Sequence, residues 1–316
     1  MRQWLGGLGC LFLAAGTAMA QNFPARSLQV VVGFAAGGAN DVAARMYSRE
    51  LEQRIRQPVI VENRAGAAGI LAGRLVAKAP ADGYTLMFGG GTGSSTVFFK
   101  DGLDLFRDLA PVAVMVSGPW IMYASARIPA RSFQELLPLA KSRPGGQLNF
   151  GASGSKAHLV MSAIKSRAGL DYVGVNYKGQ TPTIQGLISG EIDISIDGGL
   201  AAYKSLVDAG KIRVLMVTRR TSLLPATPGP ADAGVPGIES GFHSLFWVPV
   251  ATPRDTQVKL NAELAAVAML PQIRDKVINL IGGDPLALPL DETRRFAEDD
   301  LRFWSETARI AKYEPE

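Results

Sequence analysis

Cysteine is almost absent from this sequence. The chain of 316 residues contains one cysteine, Cys10, which lies in an N-terminal segment that we expect to be removed during export. A mature chain without cysteine forms no disulfide bonds and offers neither a thiol nucleophile nor thiolate ligands for a metal ion. Histidine is scarce as well, because the sequence contains only His158 and His243, which are too far apart to form a metal-binding motif. We therefore predict a protein without a metal ion or a cofactor.

Sequence motifs of the common enzyme classes are also missing. There is no Gly-x-Ser-x-Gly nucleophile elbow and no Gly-Lys-Ser/Thr phosphate loop, and the glycine-rich segment from Gly89 to Gly93 lacks the dinucleotide-binding pattern. Asp299 and Asp300 are adjacent carboxylates, but they lie in an amphipathic segment, where we interpret them as part of a solvated helix face. The sequence thus argues against catalysis, and a secreted α/β enzyme is the less favoured alternative.

Long runs of one charge sign are lacking. The formal net charge is +5 at pH 7, and this mild excess is spread along the chain, with no basic run that contains interleaved aromatic residues. This pattern indicates a solvated basic surface and argues against a nucleic-acid partner.

No apolar run in the sequence is long enough to cross a bilayer. The N-terminus nevertheless has a short positive end at Met1-Arg2, an apolar run from Leu5 to Ala15, and the small-x-small pattern Ala18-Met19-Ala20. These are the three parts of a secretory signal peptide. We expect residues 1–20 to be removed by cleavage after Ala20.

The sequence does contain a strand that is followed by a glycine turn and a helix. Val30 to Val32 form a β-branched run typical of a buried strand, and Gly37 and Gly38 permit a tight turn. The alanine-rich segment that follows, with Asp41 near its start, predicts a helix. The first amide groups of a helix lack intrahelical partners and carry a partial positive charge, so a small anion can bind there. The alternative is that the glycines only join strand to helix.

The alternation of strand and helix continues along the chain. Strands over 58–61 and 84–88 and a helix over 70–78 follow. This order predicts a parallel sheet with right-handed crossovers, in which ligands bind beyond the carboxyl ends of the strands. The loop after Phe34 and the loop after Phe88, which contains Gly90 and Thr92, are therefore expected at one edge of a cleft.

A second unit of the same kind begins at residue 148. Leu148 to Gly151 predict a strand, and the small residues Ser153, Gly154 and Ser155 lead into a helix. A later strand, with alternating polar and apolar residues, stops at Asp197.

The order of the elements predicts two α/β lobes, the second inserted into the first. Apolar extended runs over 109–116 and 120–124, with a break at 117–119, leave the first lobe. We place the first lobe at 24–124 and 249–316 and the second at 125–248, and we expect the C-terminal helix to pack on the first lobe. Two connecting strands form a hinge, so a cleft between the lobes can close on a ligand.

Six sequence blocks occur in the order found in one protein family. They are Val31–Asp41 with the pattern Val-Val-x-Phe-Ala-Ala-Gly-Gly-x-x-Asp, Gln57–Gly66, Asp82–Leu86, Leu148–Phe150, Tyr177–Gly179 and Asp232–Gly237. Through these blocks the mature chain resembles the Bug family, the periplasmic solute-binding proteins of tripartite tricarboxylate transporters. The resemblance implies a type II periplasmic-binding-protein fold, in which two α/β lobes with a hinge close on a small carboxylate in an interlobe cleft.

The resemblance also implies partners and a location. We expect a monomer in the periplasm that binds a small organic acid, either a monocarboxylate or a dicarboxylate, and works with membrane transporter subunits. The alternative is a sensor role, in which the liganded protein docks on a membrane receptor. Both roles would use the same binding site.

Site residues follow from the resemblance and from the predicted cleft edge. In the family, carboxyl groups are held by main-chain amides and ordered waters at two facing helix N-termini. The residues that we expect to contact the ligand are Phe34, Ala35, Ala36, Gly37, Gly38, Asn40, Asp41, Gly90, Thr92, Ser153, Gly154, Ser155, His158 and Asp197.

Several candidates in the inserted lobe have a structural alternative. Ser153 and Ser155 are also preferred N-cap residues, and His158 equally suits a structural hydrogen bond. We interpret Lys156 as a solvated surface cation, and the alternative is an inward charge that changes specificity. Asp197 either ends its strand as a turn residue or accepts a hydrogen bond from the ligand.

Overall fold

A computed structural model describes residues 23–37, 39–66, 69–90, 97, 104–142, 147–152, 155–177 and 180–313. The expected signal peptide, residues 1–20, lies outside these ranges. No helix within them combines the length and the apolar character that crossing a bilayer requires.

Three parallel strands and two helices form the first part of the fold. They are β1 (Leu28–Val32), α1 (Ala39–Ile55), β2 (Val59–Asn63), α2 (Ile70–Ala77) and β3 (Thr85–Gly90). β1 lies between β2 and β3, and Val32 is aligned with Asn63 on one side and with Phe88 on the other. The carboxyl ends of the three strands therefore lie at one edge of the sheet, as the sequence predicts.

A long strand carries the chain out of this first part. The next elements are α3 (Leu105–Asp108) and β4 (Leu109–Ser125). β4 runs for 17 residues without the break that the sequence predicts at 117–119. The prediction is wrong here because these residues pair with Gly241 to His243 of a later strand, which keeps them extended. Gly118 is required in this pairing, since a Cβ atom there would lie 2.3 Å from the ring of Phe242.

Helices and strands alternate again from residue 133 onwards. The elements are α4 (Phe133–Ser142), β5 (Leu148–Ala152), α5 (Ser155–Ala168), β6 (Tyr172–Asn176), α6 (Gln180–Ser189), β7 (Ile194–Gly198), α7 (Lys204–Asp208) and β8 (Ile212–Val217). β5 pairs in parallel with β6 and β7, and β4 pairs antiparallel with β7 and β8. α5 follows β5 and α6 follows β6, so both helices begin at the carboxyl edge of these strands.

One further strand returns the chain to the first part of the fold. β9 (Gly241–Pro249) pairs antiparallel with both β3 and β4, and the strand order is β2-β1-β3-β9-β4-β7-β5-β6. The last elements are α8 (Arg254–Ala268), α9 (Pro271–Lys276), a π-helical turn (Val277–Ile281), β10 (Asp284–Pro285) and α10 (Leu290–Ala311). β4 and β9 are thus the strands that connect the two halves of the sheet.

The buried side chains form separate clusters in the two halves. One cluster contains Phe88, Phe246 and Leu290, and another contains Phe150 and Trp304. α10 contributes to both clusters, and it packs against α5 in the second half. The expectation that the C-terminal helix packs on the first lobe therefore holds only for the first half of this helix, because its 22 residues extend past that lobe. The lobe boundaries given above stay a prediction.

Candidate functional site

A cleft lies between the two halves of the sheet. Its cavity volume is about 360 Å³. Three helices line it with their N-terminal ends: α1 with Asn40 and Ala43, α5 with Lys156, and α6 with Gln180. Amide groups at a helix N-terminus lack intrahelical partners and carry a partial positive charge. Three such ends at one cleft favour the binding of an anion.

Strand residues and an apolar wall complete the lining. Gly90 of β3 and Ser244 of β9 lie opposite each other in register, and Asp197 and Gly198 end β7. The other lining residues are Trp120, Gly199, Ala201, Ala202, Phe242, His243, Leu280 and Ile281. The cleft therefore combines cationic helix ends with a largely apolar wall, an arrangement typical of small-molecule sites.

Asp41 fixes the loop between β1 and α1. Its carboxylate accepts hydrogen bonds from the Gly37 amide (2.8 Å) and the Asn63 side-chain amide (2.9 Å), and it pairs with Arg45 at 3.0 Å. The hydrogen bond from Arg45, together with those from Gly37 and Asn63, lowers the pKa of Asp41 to about 2, although burial opposes this shift. These contacts give Asp41 a structural role, and its contact with a ligand stays a prediction.

Residues 34–37, which precede α1, lie outside the cleft lining. Phe34 packs against the cluster that contains Phe88, and Ala35, Ala36 and Gly37 are exposed. The Gly37 amide is occupied, because it donates to Asp41. Gly38, Thr92, Ser153, Gly154 and the side chain of Ser155 lie outside the described part of the chain. Ligand contact by all of these residues stays a prediction.

His158 also lies away from the cleft lining. Its ring makes an edge contact with Phe150, with the ring centroids 5.2 Å apart. Burial lowers the pKa of His158, and hydrogen bonds with the Ala152 backbone and the Asn176 side chain oppose this shift. The surroundings thus favour a neutral imidazole with structural contacts, and contact of His158 with a ligand stays a prediction.

Asp197 reaches the cleft as a firmly held carboxyl group. It accepts hydrogen bonds from the Tyr203 hydroxyl (2.8 Å) and the Gly198 amide (2.7 Å). The Tyr203 ring is itself stacked on Tyr123, with centroids 3.8 Å apart. Burial raises the pKa of Asp197, while the hydrogen bonds from Tyr203, Gly198 and Gln180 act in the opposite direction. A ligand group that approaches Asp197 therefore meets an acceptor whose position is fixed.

Lys156 is not the solvated surface cation that the sequence indicates. It is partly buried and lines the cleft, and its Nζ atom lies 5.2 Å from the centroid of the Trp304 ring. Burial lowers the pKa of Lys156, and the charge of Asp300 opposes this shift. The sequence misleads because α5 begins at Ser155, which places residue 156 in the first helical turn, next to the cleft.

Asp300 is buried and does not belong to a solvated helix face. Its carboxylate accepts a hydrogen bond from the Trp304 indole (2.9 Å), and one of its oxygens lies 3.4 Å from Nε2 of His243. Burial alone would raise the pKa of Asp300, but His243, Lys156 and Trp304 together lower it. The interpretation of Asp299 and Asp300 as an exposed pair is correct only for Asp299, which pairs with Arg302 at the surface.

Sequence reasoning finds Asn40, Gly90 and Asp197 of this lining and misses most of the rest. Gln180 carries a usable signal, because it begins a helix directly after a strand and a glycine-containing loop, as the two recognised units do. The wall residues carry no local signal. Phe242, His243 and Ser244 reach the cleft through the pairing of β9 with β4, and Trp120 reaches it through the pairing of β4 with β7. Leu280 and Ile281 reach it through the π-helical turn.

Comparison with known proteins gives matches over nearly the whole chain. A family profile described as tripartite tricarboxylate transporter family receptor matches residues 43–311. Protein BugT of Bordetella pertussis is 30% identical over 331 residues, which cover 98% of this chain and 97% of BugT. The protein in the tcbD-tcbE intergenic region of Pseudomonas sp. (strain P51) is 33% identical over 277 residues, which cover 84% of this chain and 82% of that protein.

Solved structures share the architecture described above. R. palustris Rpa4515 with adipate superposes with a TM-score of 0.76 at 31% identity, covering 93% of this chain and 100% of that chain. MatC (Rpa3494) from Rhodopseudomonas palustris with bound malate gives a TM-score of 0.72 at 27% identity, covering 90% of this chain and 99% of that chain. The periplasmic binding protein BugD gives a TM-score of 0.74 at 25% identity, covering 93% of this chain and 100% of the BugD chain.

Proposed function

This chain belongs to the tripartite tricarboxylate transporter receptor family, and on that premise we propose that it captures a small carboxylate between its lobes and delivers it to the membrane subunits of a transporter. The fold is the two-lobe α/β fold of periplasmic solute-binding proteins. The family and its structural neighbours are solute-binding receptors and not enzymes. The proposal includes removal of residues 1–20 on export and a monomeric mature protein in the periplasm.

The observation that carries this proposal is the convergence of α1, α5 and α6 on one cleft. Asn40, Lys156 and Gln180 bring the N-terminal ends of these helices to the same cavity. Each hydrogen bond from an amide to a charged group contributes about 1.5 to 3 kcal/mol. Several such bonds hold a carboxylate firmly, and because most of the donors are neutral the ligand is released again when the lobes open.

Two structural neighbours support a carboxylate as the ligand. One contains adipate and the other malate, and both superpose over at least nine tenths of this chain. The cleft of this chain has an apolar wall that includes Trp120, Phe242 and Ile281. We therefore extend the proposal to carboxylic acids whose remaining atoms are apolar as well as to those with polar groups.

Calorimetric titration of the purified mature protein tests the proposal. The panel contains adipate, malate, hexanoate and benzoate, with neutral sugars as negative controls. We expect saturable binding of at least one acid, together with a melting temperature that rises with acid concentration because the ligand binds only the folded state. Absence of binding by every acid would overturn the proposal.

A variant that fills the cleft identifies the site. The Cβ position of Gly90 lies 3.6 Å from the His243 carbonyl oxygen, which leaves room for a side chain among the described residues. Gly90→Val should therefore fold and lose binding of the acid. Gly89→Ala is the control, since a Cβ atom there packs against Met87 and Phe34, and this variant should bind as the wild type does.

A further inference from the structure

Lys156 is a charged side chain in the wall of the cleft. It lies in the first turn of α5 and is partly buried. Within the described part of the chain no hydrogen bond or ion pair satisfies its ammonium group, and its Nζ atom lies 5.2 Å from the centroid of the Trp304 ring. A cation that loses part of its hydration without a carboxylate partner is unfavourable, so such a group is normally paired.

Lys165, on the same helix, is a lysine with a structural role and can be compared with Lys156. Lys165 lies 5.4 Å from the centroid of the Tyr172 ring, which is close to the distance between Lys156 and Trp304. Lys165 is also paired with Asp171 and about half exposed, since 49% of its side chain is accessible. Lys156 has the same kind of ring contact as Lys165. Lys165 is paired with the carboxylate of Asp171, whereas Lys156 faces the cavity.

Asp300 is near enough to Lys156 for its charge to act on the ammonium group, but it does not form an ion pair with Lys156. It is held by Trp304 and His243. The charge of Asp300 opposes the lowering of the Lys156 pKa that burial causes, and the side chain of Lys156 lines the cleft, where an anion can reach it. The separation of the two charges thus suits a lysine that binds a ligand.

Building on the proposed function, we propose that Lys156 is the counter-ion of the bound acid and makes the cleft select carboxylates over neutral amides of the same shape. The ammonium group adds a charged hydrogen bond that only the acid can use. The dipoles of α1, α5 and α6 favour the acid as well, but through smaller partial charges. Lys156 is therefore the specificity-determining residue of the site.

Matched pairs of ligands and variants test this proposal. Hexanoate is compared with hexanamide, and adipate with adipamide, by calorimetric titration of each protein. Lys156→Met removes the charge and keeps the length of the side chain, and Lys156→Gln is a second neutral variant in case the first does not fold. Lys156→Arg keeps the charge. Lys165→Met is the matched control, because it removes a lysine with the same ring contact from the exposed part of α5.

We expect the wild type to bind the acid about 10 to 100 times more tightly than the amide. Both neutral variants should lose most of this preference through weaker binding of the acid, while their affinity for the amide stays within about twofold of wild type. Lys156→Arg should keep a preference for the acid, and Lys165→Met should behave as the wild type does. A neutral variant that folds and keeps the full preference would overturn the role of Lys156 and leave the proposed function intact. Failure of the wild type to bind any acid would overturn both.

Discussion

Ser117 and His243 lie opposite each other on β4 and β9, and the Ser117 hydroxyl oxygen is 2.8 Å from Nδ1 of His243. The same oxygen accepts a hydrogen bond from Arg219, which can only donate. On the other side of the ring, Nε2 of His243 faces the Asp300 carboxylate at 3.4 Å, and an ionised carboxylate only accepts. In the tautomer that donates from Nε2 to Asp300, Nδ1 accepts the hydroxyl hydrogen of Ser117. Hydrogen bonds thus link the two connecting strands to α10.

Ser117→Ala tests how much this hydrogen-bonded link contributes to the free energy of unfolding. The substitution leaves Arg219, which is partly buried, and His243, which is buried, without their shared partner. We expect the free energy of unfolding to fall by about 1 to 3 kcal/mol, as measured by urea denaturation. Ser205→Ala, on the exposed side of α7, should change it by less than about 0.5 kcal/mol. Equal effects of the two substitutions would show that the link contributes nothing to stability.

Asp41→Asn tests the fixation of the loop before α1. The pKa of Asp41 is about 2 in the folded protein, compared with 3.8 ordinarily, so its contribution to stability is present above pH 3.8 and is lost as the pH falls towards 2. We expect the variant to be less stable than the wild type by about 2 kcal/mol at neutral pH. Urea denaturation at a series of pH values should show this difference shrinking between about pH 4 and pH 2.

Asp275→Asn provides the matched control for this pH series. Asp275 is exposed on α9, and the difference between this variant and the wild type should stay small at every pH. A difference for Asp41→Asn that does not depend on pH would contradict the role of its charge.

The affinity for acids should depend on pH through Lys156. Burial lowers the pKa of Lys156, so its ammonium group loses its proton at a lower pH than an ordinary lysine with a pKa of 10.5. If the protonated form binds the acid as proposed, the affinity for hexanoate should fall as the pH rises, and it should fall at a lower pH than an ordinary lysine would give. Calorimetric titration at several pH values measures this fall. The Lys156→Met variant should lack it and the Lys165→Met variant should retain it, so the same fall in both would refute the prediction.

Gly282→Ala tests a close approach of two backbone segments beside the cleft. Gly282 has a φ of +74°, and a Cβ atom there would lie 2.5 Å from the backbone nitrogen of Leu200. Alanine is both strained and crowded at this position, so we expect the free energy of unfolding to fall by about 2 to 4 kcal/mol.

Gly210→Ala separates the strain from the crowding. Gly210 has a φ of +68°, but a Cβ atom there meets no described atom within 4 Å. Its substitution should cost about 1 to 2 kcal/mol, which is the strain alone. Urea denaturation compares the two variants, and an equal loss would mean that the approach to Leu200 is relaxed without cost.

The local features of the fold could be predicted because their signals lie in neighbouring residues. The β-branched run at Val30 to Val32, the following turn and the start of α1 are encoded within a dozen positions, and the structure has them in that order. The same reasoning places β5 before α5. The sequence could predict three lining residues for this reason, because each lies where a strand or helix of such a unit begins or ends: Asn40, Gly90 and Asp197.

The remaining features depend on residues that are distant in sequence. Pairing with β9 keeps residues 117–119 extended, and the local sequence Ser-Gly-Pro favours a turn instead. Burial of Asp300 depends on Trp304 one helical turn away and on His243 of another element. The inward position of Lys156 depends on the register of α5 against α10. Partners of this kind are not visible in a single sequence.

α10 contributes buried side chains to both halves, so among the described residues β4, β9 and this helix all connect one half to the other. A helix of 22 residues that packs against both lobes should resist a twist of one lobe against the other. A bend of the lobes about an axis close to α10 would distort this helix least. We expect the empty and occupied forms of the protein to differ by such a bend, with Trp304 carried along beside Lys156 as the gap narrows.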